Sequence, residues 1–168
     1  SSMRVLPIIL ATALAASTAN AQAPTIARAE LKNATGAVVG SVMLTEAPKG
    51  VLMRVETRGL TPGWHGLHFH EKADCSKADF TSAGGHTHGA GDRVHGLLNP
   101  KANETGDLPN LYVGADGVGS TEVFSALTTL AALKDADGSA VVIHAAADDH
   151  LAQPIGGAGA RVACAEVR

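Results

Sequence analysis

The chain has 168 residues, of which 45% are hydrophobic but only 3% aromatic, so a single domain of this length must fill its core with small apolar side chains. A formal net charge of −3, without any basic stripe, argues against nucleic acid as a partner.

Ser1 and Ser2 ahead of Met3 read as a cloning scar, and the residues after them as a targeting segment. Arg4 gives a short positive start, Val5 to Ala16 an apolar stretch, and Ala19-Asn20-Ala21 a small-residue cleavage signature. Residues 1–21 are therefore expected to be a scar plus a secretory signal peptide, and residues 22–168 the mature domain. The apolar stretch is too short to span a bilayer, so no membrane contact is expected after cleavage. The expected location is the periplasm or another exported compartment. Loss of Arg4 leaves the mature chain slightly more acidic.

Short alternating or apolar runs follow, separated by turn residues about every dozen positions. Thr25 to Lys32, Ala37 to Glu46 and Val51 to Arg58 read as strands, with turns at Asn33-Ala34-Thr35-Gly36 and Ala47-Pro48-Lys49-Gly50. Gly59 to Gly63 leads into a fourth run, Trp64 to His70. Residues Glu71 to Asp107 break the rhythm, being rich in Gly, His, Asp and Asn. A loop of that length in a compact domain has to be tied down, and such loops are usually functional. Strands resume at Asn110 to Gly114 and Val118 to Phe124. A second loop, Ser125 to Gly138, contains Leu127 to Leu133, a segment too short and Thr/Ala-rich to assign as a helix. Ser139 to His144 is an apolar strand, Ala145 to Ala160 a Gly- and Asp-rich loop, and Arg161 to Val167 the last strand. Eight short strands with long loops give an all-β class, an antiparallel sandwich or flattened barrel.

Within the fourth run, Gly66-Leu67-His68-Phe69-His70-Glu71 carries the chemistry. Side chains alternate along a strand, so His68 and His70 share one face while Leu67 and Phe69 share the other. Neutral imidazole is a good copper or zinc ligand, and further imidazoles stand at His86, His88, His95 and His144 on separate segments, as a dinuclear site requires. Asp107 and Asp148 lie in the same loops. The two cysteines, Cys75 and Cys164, are expected to pair in an oxidising compartment, the alternative being two free buried thiols.

Six motifs in this order resemble the copper/zinc superoxide dismutase family, and more narrowly its exported bacterial branch. They are Gly66 to Glu71, Ser82-Ala83-Gly84-Gly85-His86, Val94-His95-Gly96, Gly106-Asp107-Leu108-Pro109, Val142-Ile143-His144 with Asp148, and Gly159-Ala160-Arg161-Val162-Ala163-Cys164. The resemblance implies an eight-stranded antiparallel Greek-key β-sandwich or flattened barrel with long metal-binding and electrostatic loops. It implies copper held by His68, His70, His86 and His144, with His86 bridging to a zinc that His95 and Asp107 also hold. Asp148 matches an aspartate that hydrogen-bonds one histidine of each metal, here His68 and His95. Arg161 matches the arginine that attracts the substrate, superoxide, and Cys75 and Cys164 match an intrasubunit disulfide.

The sequence departs from the family at one ligand. Three residues before Asp107 the family carries a zinc histidine, whereas Glu104 stands here, with His88 as a second candidate for the fourth position; glutamate is an acceptable zinc ligand. The expected activity is dismutation of superoxide to dioxygen and hydrogen peroxide. The alternatives are a copper-only enzyme with an empty zinc site and a non-catalytic copper carrier on the same scaffold. His65 and His150 carry no expected ligand role, Lys72 and Lys77 are candidates for attracting the anion, and Trp64 is a candidate interface residue should the chain form a homodimer.

Overall fold

The computed structural model describes residues 1–3, 15–19 and 21–168. Residues 4–14 and 20 of the expected leader lie outside the described residues. Among the described residues, nine strands form one antiparallel sheet: β1 (Ile26–Lys32), β2 (Val38–Ala47), β3 (Gly50–Thr57), β4 (Gly63–His65), β5 (Leu67–His70), β6 (Leu111–Val113), β7 (Gly119–Ser125), β8 (Ser139–His144) and β9 (Arg161–Val167). Their order is β4-β6-β7-β3-β2-β1-β9-β8-β5, so two strands consecutive in the chain sit at opposite ends of the sheet. This rolls the sheet into a nearly closed, Greek-key barrel.

The count is nine and not eight because the run Trp64 to His70 is broken at Gly66. Trp64 pairs with Tyr112 on β6, whereas His68 and Phe69 pair with Val142 and Val141 on β8. Gly66 stands at the break: its carbonyl receives the amide of His144, the last residue of β8, at 2.8 Å, and its amide reaches Ala146 O, beyond that strand, at 2.8 Å. The Leu127 to Leu133 segment contains one helical turn, α1 (Leu130–Leu133), capped by Thr129, whose Oγ1 accepts the Ala132 amide at 3.1 Å. No helix among the described residues is long and apolar enough to cross a membrane.

Alternation places the core as expected. On β3, Val51, Met53 and Val55 are buried while Arg54 and Glu56 are exposed. They join Leu31, Val42, Leu44, Leu67, Phe69, Leu111, Val141 and Ile143 in the interior. A smaller cluster of Phe80, Ala83, Ala140, Val142 and Cys164 packs on the other face of β8. There Cys164 is bonded to Cys75, with Cα atoms 5.9 Å apart, which pins the start of the long loop to β9.

The long loop is held by backbone as well as by sulfur. The Phe69 amide donates to Gly106 O at 2.9 Å and the Phe69 carbonyl accepts the Thr87 amide at 3.0 Å. Further bonds join Thr105 and Gly106 to the Thr87 carbonyl. The loop thus lies along the edge of β5 that β8 leaves open. Gly106 is required for this approach, because a Cβ there would stand 2.3 Å from Phe69 O.

A Cβ on Gly66 would stand 2.7 Å from Ala158 Cβ and 3.3 Å from Cε1 of His68, so Gly66→Ala is expected to force the β4–β5 break open. A stability loss of roughly 1–3 kcal/mol is expected in urea unfolding, the usual cost of overpacking a tight site; an unchanged midpoint and slope would show that the break tolerates a side chain.

Candidate metal centre

The two faces of β5 do different work. Leu67 and Phe69 enter the core, and His68 and His70, both fully buried, point to the opposite side. His144 joins them from the end of β8, where a bulge between Ile143 and His144 re-aims the side chain. His86 arrives from the long loop through an isolated bridge with His70. Each ring has one nitrogen already engaged. His70 Nδ1–H donates to Gly84 O and His144 Nδ1–H to Gly159 O, both at 2.9 Å, and a carbonyl can only accept, which fixes these tautomers. His68 Nε2 is 2.7 Å from Asp148 Oδ2, and His86 Nδ1 is 2.6 Å from Glu104 Oε2.

The remaining nitrogens, His68 Nδ1, His70 Nε2, His86 Nε2 and His144 Nε2, are buried without a hydrogen-bond partner among the described residues. Such orphans are costly and call for an explanation. Donor atoms of these four residues lie within 4.8 Å of one another. An all-nitrogen set of that kind suits copper.

A second group of donors lies beyond His86. Glu104 Oε2 is 2.6 Å from His86 Nδ1 and 2.7 Å from His95 Nδ1. Asp107 Oδ1 is 2.8 Å from His95 Nδ1 and 3.7 Å from His86 Nδ1. That Asp107 oxygen is buried and outside hydrogen-bond geometry, whereas Oδ2 accepts the Gly96 amide at 2.8 Å. Two imidazoles and two carboxylates facing one point fit zinc. His68 also lies close to this group, but its Nε2 is committed to Asp148, so its ring stands between the two clusters.

Asp148 couples both clusters. Its side chain is fully buried, with Oδ2 on His68 and Oδ1 3.0 Å from His95 Nε2. Asn110, which sequence reasoning treated only as the start of a strand, grips Asp148 in both directions, accepting its amide and donating to its carbonyl at 2.9 Å each. Gln153 does the same for His95, at 2.8 Å each way. Neither carries a sequence signal, since a reciprocal amide clasp needs only proximity.

His88 stands apart: its ring turns to Gly89 O at 2.7 Å and towards Glu71 at 3.8 Å, partly in solvent. His65 is buried, with Nδ1 2.6 Å from His144 O and Nε2 2.7 Å from Thr61 O, so it fixes the backbone behind a cluster histidine. The His150 amide donates to Asp148 Oδ1 at 2.6 Å while its ring stays at the rim. Arg161 is partly buried at the start of β9, with Nη1 donating to Phe80 O at 2.7 Å. Lys72 and Lys77 are exposed.

The clusters differ electrostatically. Burial drives His68 down to about 3 and His144 to about 4, and holds His70 well below its ordinary value. Burial also opposes charge on His95, but Asp107, Asp148 and Glu104 outweigh it and push the ring up to about 11. His86 is raised too, burial being overcome by Asp107 and Glu104. The histidines hold Asp107 and Asp148 well below the carboxylate range, against the upward push of burial.

A profile of copper/zinc superoxide dismutase matches residues 38–167. The chain is similar to a copper/zinc superoxide dismutase of Caulobacter vibrioides, 56% identical over 148 residues that cover 84% of this chain and 85% of the relative. Among solved structures it resembles a superoxide dismutase-like protein of Bacillus subtilis, with 34% identity, TM-score 0.74, and coverage of 84% and 97%. It also resembles the copper/zinc superoxide dismutase of Brucella abortus, with 32% identity, TM-score 0.72, and coverage of 86% and 100%.

For the metal-free protein the depressed histidines set the acid limb. Unfolded, they titrate near ~6.5, so below that pH the unfolded chain takes up protons that folded His68, His70 and His144 refuse. Stability must then fall as pH drops from about 6.5 towards about 4. His86 and His95, raised, contribute with the opposite sign, but their contribution is already nearly complete at pH 6.5 and is lost only as pH rises towards about 11. Urea unfolding at pH 7 and pH 5 is expected to show a loss of roughly 2–4 kcal/mol at the lower pH; equal stability would contradict the depressed rings.

Proposed function

The chain belongs to the copper/zinc superoxide dismutase family, and from that premise we propose how its own residues divide the work. The activity is dismutation, in which two superoxide anions and two protons become one dioxygen and one hydrogen peroxide, with copper and zinc as cofactors. Copper, when bound, supplies a one-electron couple that takes an electron from one superoxide and returns it to the next, while zinc supplies a fixed positive charge beyond His86.

Copper is assigned to His68, His70, His86 and His144. The observation that carries this is the convergence of four buried ring nitrogens without partners, each on a ring whose other nitrogen is anchored. Zinc is assigned to His86, His95, Asp107 and Glu104, and the short distances from Glu104 Oε2 to both Nδ1 atoms favour it over His88. Asp148 orients His68 and His95.

Arg161 attracts and orients the anion through charge and N–H donors. Its Nη1 donates to the Phe80 carbonyl, which leaves its other N–H donors for substrate. His86 is placed to hold a proton at Nε2 when that nitrogen is free and to give it to the product. The second proton comes from solvent.

The same reading makes residues 1–21 a removed leader and residues 22–168 an exported, periplasmic domain. The Cys75–Cys164 bridge and the bacterial relatives support that location. It also favours a homodimer: Trp64 and Tyr112 are paired across β4 and β6 with ring centroids 4.9 Å apart, and more than half of each is exposed.

Elemental analysis after loading with both metals and dialysis is expected to give one copper and one zinc per chain, with dismutation in the same sample. Glu104→Ala should weaken zinc by roughly ten-fold or more in chelator competition while copper stays bound; unchanged zinc affinity would remove Glu104 from the ligand set, and copper without dismutation would point to a carrier. Sedimentation is expected to find a dimer that Trp64→Glu converts to monomer, and a monomeric wild type would refute the dimer.

A further inference from the structure

Arg93 has no part in the reaction as derived so far, although it is placed against the metal centre. Its guanidinium is pressed onto Gly85, the residue that immediately precedes His86. A Cβ on Gly85 would fall 1.0 Å from Arg93 Nη1 and 2.2 Å from Cζ, so the guanidinium occupies the very space that a side chain at this position would need. Glu71 completes the arrangement. Its Oε1 is 3.7 Å from Arg93 Nη1, its Oε2 accepts the Gly85 amide at 3.2 Å, and its own amide donates to Gly85 O at 2.9 Å. Glu71 leads directly out of β5 from His70, so Arg93 is held between the segments that deliver His70 and His86.

The ion pair alone does not account for this placement. At 3.7 Å, with the side chains of Arg93 and Glu71 44% and 36% exposed, it is long and wet, the kind of surface pair that contributes little to stability. The same exposure leaves the guanidinium accessible to a small anion. Electrostatics connect it to the other arginine of the site. Arg161 is lowered from its ordinary value by burial first; Asp79 and Glu71 oppose the shift, and the positive charge of Arg93 adds to it. Arg161, from β9, thus acts on His70 and His144, and Arg93, from the long loop, lies against the residue before His86 and within the field of Arg161. In a chain of net charge −3, such a local field is what can draw in an anion.

We propose that Arg93 is a second anion-guiding residue of the copper site, a positioning residue held against Gly85 that raises the rate at which superoxide reaches Arg161. The inference rests on the dismutase reading above. It directs attention away from Lys72 and Lys77, which the sequence suggested, and it assigns the reach of Arg93 across Gly85 a purpose: the charge is brought to the bridge histidine without a charged residue having to precede it directly in sequence.

The test uses the protein loaded with copper and zinc, as wild type, Arg93→Gln and Arg93→Lys. Dismutation rate constants are measured at ionic strengths from about 0.01 M, where screening acts over ~30 Å, to about 1 M, where it acts over ~3 Å. Azide binding to the oxidised copper is titrated through the visible absorption of the copper, which reads anion attraction without turnover. Arg93→Gln is expected to lose about two-fold or more in rate and in azide affinity at low ionic strength, to converge with wild type at high ionic strength, and to keep its metal content and melting midpoint. Arg93→Lys is expected to restore both quantities. Equal salt dependence and equal azide affinity in Arg93→Gln and wild type overturn the proposal. So does a loss in Arg93→Lys as large as that in Arg93→Gln, accompanied by a lower melting midpoint, since that marks a structural clamp. A wild type that binds copper and azide but does not dismute superoxide refutes the underlying reading and, with it, any guiding role.

Discussion

The constraint on which the rest depends is that β5 is bonded along both edges while its two faces serve different solvents. One edge pairs with β8, the other with the long loop, and the four residues Leu67 to His70 alternate between hydrocarbon core and imidazole cluster. Register is thereby fixed twice over, because a slip of one residue would place Phe69 among the clustered imidazoles and both histidines in the core. The loop that supplies His86, His95, Glu104 and Asp107 has only a short 3-10 turn, Thr81–Ala83, as regular structure of its own. It borrows the open amide and carbonyl of Phe69 as its template.

Burial of so many polar groups is tolerable because almost every one is answered. Asp148 illustrates this: both of its oxygens reach a histidine, one in each cluster, and its backbone is gripped by Asn110. Among the described residues, five of the seven buried side-chain atoms left unanswered belong to the two donor sets, the others being Thr87 Oγ1 and His150 Nδ1. Within a few ångströms the protein maintains two opposite environments. His68, His70 and His144 are kept neutral by burial, while His86 and His95 are surrounded by carboxylates that favour charge. His86 belongs to both, which makes its ring the electrical link between them.

Much of this was legible in the sequence because it followed from period and order. Strand alternation placed His68 and His70 together, the turn residues marked the hairpins, and the motif order led to the family and so to His86, His95, Asp107, His144 and Asp148. What escaped had a physical reason. The break at Gly66 was hidden because both halves of Trp64 to His70 have strand composition, and only the tertiary partners differ. The roles of Asn110 and Gln153 depend on contacts across 38 and 58 positions, which no local pattern encodes. Arg93 was missed because its reach over Gly85 depends on the loop path and not on spacing, whereas His88, though close to His86 in sequence, was carried away from the cluster by that same path.

The break at Gly66 also bears on the behaviour of the sheet towards other chains. Exposed strand edges are templates for intermolecular pairing, and the longer and flatter they are, the greater the hazard. Here the strands at the two ends of the order are the shortest class in the sheet, three residues in β4 and four in β5, and the open side of β5 is occupied by the loop. The long strands β2 and β3, rich in valine and leucine and the segments best suited to cross-β stacking, are both interior and paired on each side. A single glycine, by letting one run of chain serve both ends of the sheet, leaves the barrel with almost nothing for a neighbour's strand to extend.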